Sequence, residues 1–185
     1  RYLFTATFRS DGSSKFAPNN RWGYFPAAAF GWRISEESFM EGTRDWLDNL
    51  KLRLSYGTAG SDNINSGLWR ETWKTSNITV SGVPDVSYIP EGLMANPDLK
   101  WEVKHNFNAG FDLALFANRL LFSVNYYLSK TTDMLYMYNV SVPPFTYNTL
   151  VANIGSMRNS GVEIAVGVTP LKTKDMLSLI HISEP

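Results

Sequence analysis

The run from Trp101 to Tyr127 restricts the fold more than any other part of the chain. Val103, His105, Phe107, Ala109, Phe111, Leu113 and Leu115 alternate with Glu102, Lys104, Asn106, Asn108, Gly110, Asp112 and Ala114. A period of two puts the apolar set on one side of a strand and the polar set on the other. After the tight connection Ala117-Asn118-Arg119 the pattern resumes, with Leu120, Phe122, Val124, Tyr126 and Leu128 set against Leu121, Ser123, Asn125, Tyr127 and Ser129. At about 3.3 Å per residue, the first strand reaches about 50 Å from Glu102 to Phe116 and still covers roughly 30 Å at a tilt of about 45°. Strands of soluble sheets run to about 5 to 6 residues. Two overlong strands, apolar on one side and polar on the other, predict the wall of a transmembrane β-barrel.

The same alternation recurs elsewhere. Tyr2, Phe4, Ala6 and Phe8 alternate with Thr5, Thr7 and Arg9 up to the turn formers Asp11-Gly12-Ser13-Ser14. Tyr24, Pro26, Ala28, Phe30, Trp32 and Ile34 alternate with Phe25, Ala27, Ala29, Gly31 and Arg33, although Pro26 lacks a ladder donor. Leu50, Leu52, Leu54 and Tyr56 alternate with Lys51, Arg53, Ser55 and Gly57, and Val162, Ile164, Val166 and Val168 with Gly161, Glu163, Ala165, Gly167 and Thr169, in a last strand over 161–170. The count is about six wall strands, all-β and antiparallel. Ser35-Glu36-Glu37-Ser38 predicts the start of a short amphipathic helix, with Ser35 as N-cap and Phe39, Met40, Trp46 and Leu47 as its stripe. Capping and solvation account for its acids without catalysis.

Periodicity lapses from Thr58 to Lys100, apart from a short hairpin around Ile78 to Val83, and again from Thr131 to Asn159. Outer-membrane barrels carry short turns on the periplasmic side and long loops outside. If the turn at Ala117 to Arg119 is periplasmic, alternation places 11–23, 58–100 and 131–159 together outside. Tyr24, Tyr56 and Trp101 then fall at outer strand ends, and Tyr2, Trp32 and Phe116 at inner ends, as an aromatic girdle requires. Facing the lumen are Lys51, Arg53, Glu102, Lys104, Asn106, Asn108 and Asp112, placed to touch an internal plug or a passing solute. In the long outer loop, Trp69, Trp73 and Tyr88 are candidates for stacking on sugar faces or for docking a lid.

Composition excludes several other classes. With 17 basic and 17 acidic residues the formal charge is zero, so no basic surface argues for nucleic acid. There is no cysteine, hence no disulfide scaffold or thiolate metal site, and no apolar run approaches the about 18 residues of a membrane helix. His105 lies on the apolar side with no other donors in register, so no metal site and no cofactor are expected. No nucleophile elbow, phosphate loop or His-paired nucleophile points to an enzyme. A carbohydrate-binding β-sandwich is the alternative, but it calls for short strands and evenly short connections.

The segment NPDLKWE (Asn96 to Glu102) resembles the barrel of SusC/RagA-type TonB-linked outer-membrane transporters of Bacteroidetes. The similarity continues through Phe8 to Phe39, Trp46 to Ile64, Leu115 to Tyr136 and Asn153 to Val166. The resemblance implies that residues 1–175 are part of a barrel of about 22 strands filled by an N-terminal plug, in the outer membrane of a Gram-negative cell. It also implies import of glycan oligomers, or peptides in some members, beneath a SusD-like surface lipoprotein and driven by the TonB complex. Neither plug nor TonB box is among these residues, and the chain opens inside an apparent strand, so it reads as a fragment. The partners implied are that lipoprotein, the TonB complex, outer-membrane lipid and an oligosaccharide or peptide solute. Leu177 to Pro185 (LSLIHISEP) resembles a translated sequencing-adapter scar and is set aside from the fold.

Overall fold

A computed structural model describes residues 1–145, 147–170 and 180–184 of the chain. Eleven strands follow in order: β1 (Tyr2–Gly12), β2 (Trp22–Arg33), β3 (Leu47–Ser61), β4 (Thr72–Val80), β5 (Val83–Glu91), β6 (Glu102–Leu115), β7 (Leu120–Thr132), β8 (Leu135–Asn139), β9 (Thr149–Asn153), β10 (Met157–Val168) and β11 (Ile180–Glu184). Seven of them form one antiparallel sheet in the order β1-β2-β3-β6-β7-β10-β11. Sequence neighbours are spatial neighbours throughout it. The β4-β5 and β8-β9 pairs are separate hairpins, inserted where the chain leaves the sheet after β3 and after β7.

Register joins the apolar positions of successive strands into continuous rows. One row runs Phe4, Phe30, Leu54, Ala109, Tyr126, Val162, and the next Tyr2, Trp32, Leu52, Phe111, Val124, Ile164. Because cross-strand partners project to the same side, these two rows stay apolar from β1 to β10. No second layer covers this side among the described residues, and Phe4 is 73% exposed. A sandwich would bury it, so the single layer tells against that alternative. The buried core lies instead at the long-loop end, where Phe16, Leu99 and Val151 pack with Ile64, Leu68, Leu93, Trp101 and Leu135.

Several local expectations are corrected. The predicted amphipathic helix is two 3-10 turns, Ile34–Glu36 and Ser38–Thr43, and Ser35 caps neither of them. Between them Glu37 takes extended backbone and is only 4% exposed. Its carboxylate accepts from the Tyr2 hydroxyl at 2.7 Å and the Trp32 Nε1 at 2.8 Å, and pairs with the Arg1 guanidinium. Those donors draw Glu37 out of any helical run, and Phe39 of the expected stripe is left exposed. Beside it, the hydrogen bond from Arg33 holds the Glu36 carboxyl below its usual range.

Pro26 causes no defect, because the β2-β3 ladder ends at Ala27 and the missing donor falls just beyond it. The hairpin expected around Ile78 to Val83 is nine residues long in each arm, and it turns through Ser81 (φ 53°) and Gly82 (φ 80°), the two left-handed positions of a type I′ turn. β10 begins at Met157 rather than Gly161, and the second irregular stretch contains the β8-β9 hairpin. The backbone of Ile180–Glu184, set aside on sequence grounds, pairs with Ile164–Val168, while Leu177 to Leu179 and Pro185 lie outside the described residues.

Candidate functional site

The polar side of the sheet brings together the seven residues singled out by alternation. Lys51 stands opposite Asp112, Arg53 opposite Gly110, Ser55 opposite Asn108, Gly57 opposite Asn106, Ala59 opposite Lys104 and Ser61 opposite Glu102. At the centre, the Arg53 guanidinium lies across β6. Its Nη2 donates to Asp112 Oδ1 at 2.8 Å and to Asn125 Oδ1 at 2.7 Å, and its Nε is 2.8 Å from Asp112 Oδ2. Ser123 donates to the same carboxylate at 2.9 Å. Gly110 makes this crossing possible, since a Cβ there would stand 2.3 Å from Asn125 Oδ1 and 2.8 Å from the Val124 carbonyl. One strand over, the Tyr127 ring lies on Gly161, with its hydroxyl 2.7 Å from where a Cβ would be.

Arg53 and Asp112 thus neutralise each other, and the surface around them is mostly amide and hydroxyl. A concave region of about 630 Å³ is lined by Arg53, Ser55, Lys104, Asn106, Asn108, Asn125, Tyr127, Ser129, Thr131, Asn159 and Glu163, among others. Such a surface hydrogen-bonds neutral polar matter, whether a solute or a polypeptide backbone. Asn125, Tyr127, Ser129, Asn159 and Glu163 were not among the sequence candidates. The hairpin register, which sets Tyr127 against Asn108 and Asn125 against Gly110, is the signal that identifies the first three. Glu102 is engaged differently: its Oε2 accepts the Leu135 backbone N–H at 3.2 Å and anchors the start of β8.

The NPDLKWE segment is the junction of the long loops. Asn96 donates from Nδ2 to the Val151 carbonyl at 2.9 Å, and its backbone N–H donates to the Leu68 carbonyl at 2.8 Å. Leu99 is fully buried. Lys100 exchanges two hydrogen bonds with the Asn153 side chain, at 2.9 and 2.8 Å, and its Nζ pairs with Asp133 at 2.9 Å. Trp101 donates to the Arg21 carbonyl at 3.0 Å and meets Phe16 and Phe25 at centroid distances of 5.4 and 5.5 Å. It therefore leaves the expected girdle. β6 begins only at Glu102, so alternation does not govern position 101, and the indole turns into the loop core.

Trp73 and Tyr88 are brought to one face of the β4-β5 hairpin, where Trp73 pairs with Pro90 and Thr75 with Tyr88. They are 55% and 71% exposed. Trp69 precedes the hairpin, is half-buried, and carries the Arg70 guanidinium 5.8 Å from its ring centroid. The three aromatics do not form a single cluster in the hairpin.

Comparison with known proteins agrees with this geometry. The sequence model of the family described as TonB dependent receptor-like, beta-barrel matches residues 1–179. The chain is similar to the TonB-dependent receptor SusC of Bacteroides thetaiotaomicron, 38% identical over 95% of this chain and 18% of the relative. It is also similar to the TonB-dependent receptor P39 of Formosa agariphila, 38% identical over 94% of this chain and 16% of that protein. Among solved structures it superimposes on the RagAB peptide importer in its open-open state with a TM-score of 0.83 at 30% identity, covering 98% of this chain and 19% of that one. The chain spans less than a fifth of the length of these relatives. An apolar face, a polar face opposite and long loops at one end are what this likeness requires of a barrel wall: the chain belongs to the TonB-dependent receptor β-barrel family, in its SusC/RagA-like branch, and is a fragment of an outer-membrane barrel.

Proposed function

We propose that this chain supplies wall, lumen lining and outer loops to a TonB-dependent importer that takes up glycan oligomers, or peptides, with a SusD-like lipoprotein as its lid. The observation that carries the reading is the register that keeps one side of six adjacent strands apolar and the other polar. The polar side faces the lumen, where Lys51, Arg53, Lys104, Asn106, Asn108 and Asp112 meet the plug before they meet any solute. Arg53 and Asp112 neutralise each other's charge, which suits a wall that must not hold a solute by charge. Trp73 and Tyr88 present flat rings at the outer mouth, for a sugar face or for the lid. The role is transport and not catalysis.

The test uses the full-length parent. Deleting its gene abolishes uptake of one class of solute, oligosaccharide or peptide, and complementation restores it. The intact protein fractionates with the outer membrane and migrates anomalously before heating. Recovery in the soluble fraction without detergent refutes the barrel, and unchanged uptake of both solute classes refutes the importer.

A further inference from the structure

Just outward of the apolar band, the membrane side of the sheet carries a row of basic side chains. In register across three adjacent strands stand His105 on β6, Lys130 on β7 and Arg158 on β10. All three share parity with the apolar set: the next row inward is Phe107, Leu128 and Ser160. Leu115 to His105 is ten residues, about 33 Å along the strand and about 25 Å in height at a tilt of about 40°, the height of the apolar band of outer-membrane barrels. The row therefore sits at headgroup level of the outer leaflet.

Nothing in the protein neutralises it. Neither Lys130 nor Arg158 has a carboxylate within ion-pairing distance among the described residues, and both are exposed. Like charges placed directly opposite each other across two strands are unfavourable, and Lys130 and Arg158 are such a pair. A shared anion lying against both reverses the sign. His105 completes one end of the row, its ring oriented by the Tyr56 hydroxyl 2.9 Å from Nδ1, which leaves Nε2 directed elsewhere. Adjacent strands lie about 4.8 Å apart, so the three side chains span about 10 Å, the scale of one phosphorylated sugar headgroup.

We propose that His105, Lys130 and Arg158 form a binding site for the phosphorylated headgroup of an outer-leaflet glycolipid. The inference rests on the barrel reading above, because it needs this side of the sheet to face lipid. A cation near an anionic lipid surface contributes about fivefold in affinity, and two contribute about 25-fold.

The full-length transporter, purified in detergent, is titrated by native mass spectrometry with phosphorylated lipid A, with the same lipid A dephosphorylated, and with inorganic phosphate. Phosphorylated lipid A is expected to bind at least about tenfold more tightly than the dephosphorylated form. Lys130→Gln weakens it about fivefold and Lys130→Gln with Arg158→Gln about 25-fold, whereas Lys130→Arg with Arg158→Lys retains it. Lys74→Gln, on the β4-β5 hairpin, leaves binding unchanged. Indifference to the lipid phosphate, equal binding by the double Gln variant, or an equal loss in Lys74→Gln overturns the proposal, and so does inorganic phosphate binding as tightly as the lipid. Each variant is checked for heat-modifiable migration. A parent that lacks it fails the barrel reading, whereas a correctly assembled parent that ignores lipid phosphate fails this site alone.

Discussion

Gly110 decides how the polar side is wired. With no side chain there, the Arg53 guanidinium reaches over β6 to Asn125 and closes on Asp112. Gly110→Val therefore displaces the fork and leaves Asp112 short of a partner, and is expected to cost about 1 to 3 kcal/mol. The check is the unfolding temperature of the full-length protein in detergent, and an unchanged value would show that the crossing is incidental. Charge scanning tests the two faces. Lysine at Leu52, which pairs with Phe111 near the middle of the apolar band, costs about 2 to 4 kcal/mol and blocks assembly, whereas lysine at Ser55 or Asn108 is tolerated. Equal tolerance in an outer-membrane assembly assay would reverse the faces. Alternation alone made both faces legible in the sequence. It did not reveal the Arg53 fork, because parity tells which side a residue takes and says nothing of diagonal neighbours. Nor did it distinguish Glu37, whose burial depends on Tyr2 and Trp32 arriving from two other elements.

At the scale of elements, the long strands were readable because β6 and β7 each carry ten or more residues of alternation, and the hairpin turn at 117–119 pins the register of β6 against β7. The loops were not, since their order comes from contacts between segments far apart in sequence. Leu99 shows this: buried with Phe16 and Val151, it reads in the sequence as one apolar residue between Asp98 and Lys100. Leu99→Ala is expected to remove about 2 to 5 kcal/mol from the loop junction while leaving the wall assembled. Limited proteolysis of intact cells would detect new cleavage in the outer loops with heat-modifiable migration retained. Cleavage no faster than in the parent would mean that the loops hold together without it. The β4-β5 hairpin shares no sheet with the wall, so removing Thr72 to Glu91 should leave membrane insertion intact. Loss of outer-membrane protein in that deletion would count against a separate hairpin.

For the whole molecule, the all-β class, the sidedness and the near-neighbour strand order follow from strand length and from the placing of long loops. The sheet ends at β1 on one side and β11 on the other, with its apolar side uncovered. Open edges and a broad apolar surface are aggregation templates in water. The 185-residue chain expressed alone is expected to need detergent or denaturant, and a soluble monomer with a cooperative unfolding transition would contradict that.

The loop junction built on NPDLKWE has a further consequence. Its bonds run to Leu68 and Asp133 and to Val151 and Asn153 of β9, so the β8-β9 hairpin is part of the junction while the β4-β5 hairpin branches from it, and neither enters the wall. That arrangement separates what the bilayer constrains from what the environment selects. The β4-β5 hairpin can be lengthened, shortened or exchanged as a cassette while the junction and the wall stay as they are, whereas the β8-β9 hairpin carries Leu135, Val151 and Asn153 and changes only together with the junction.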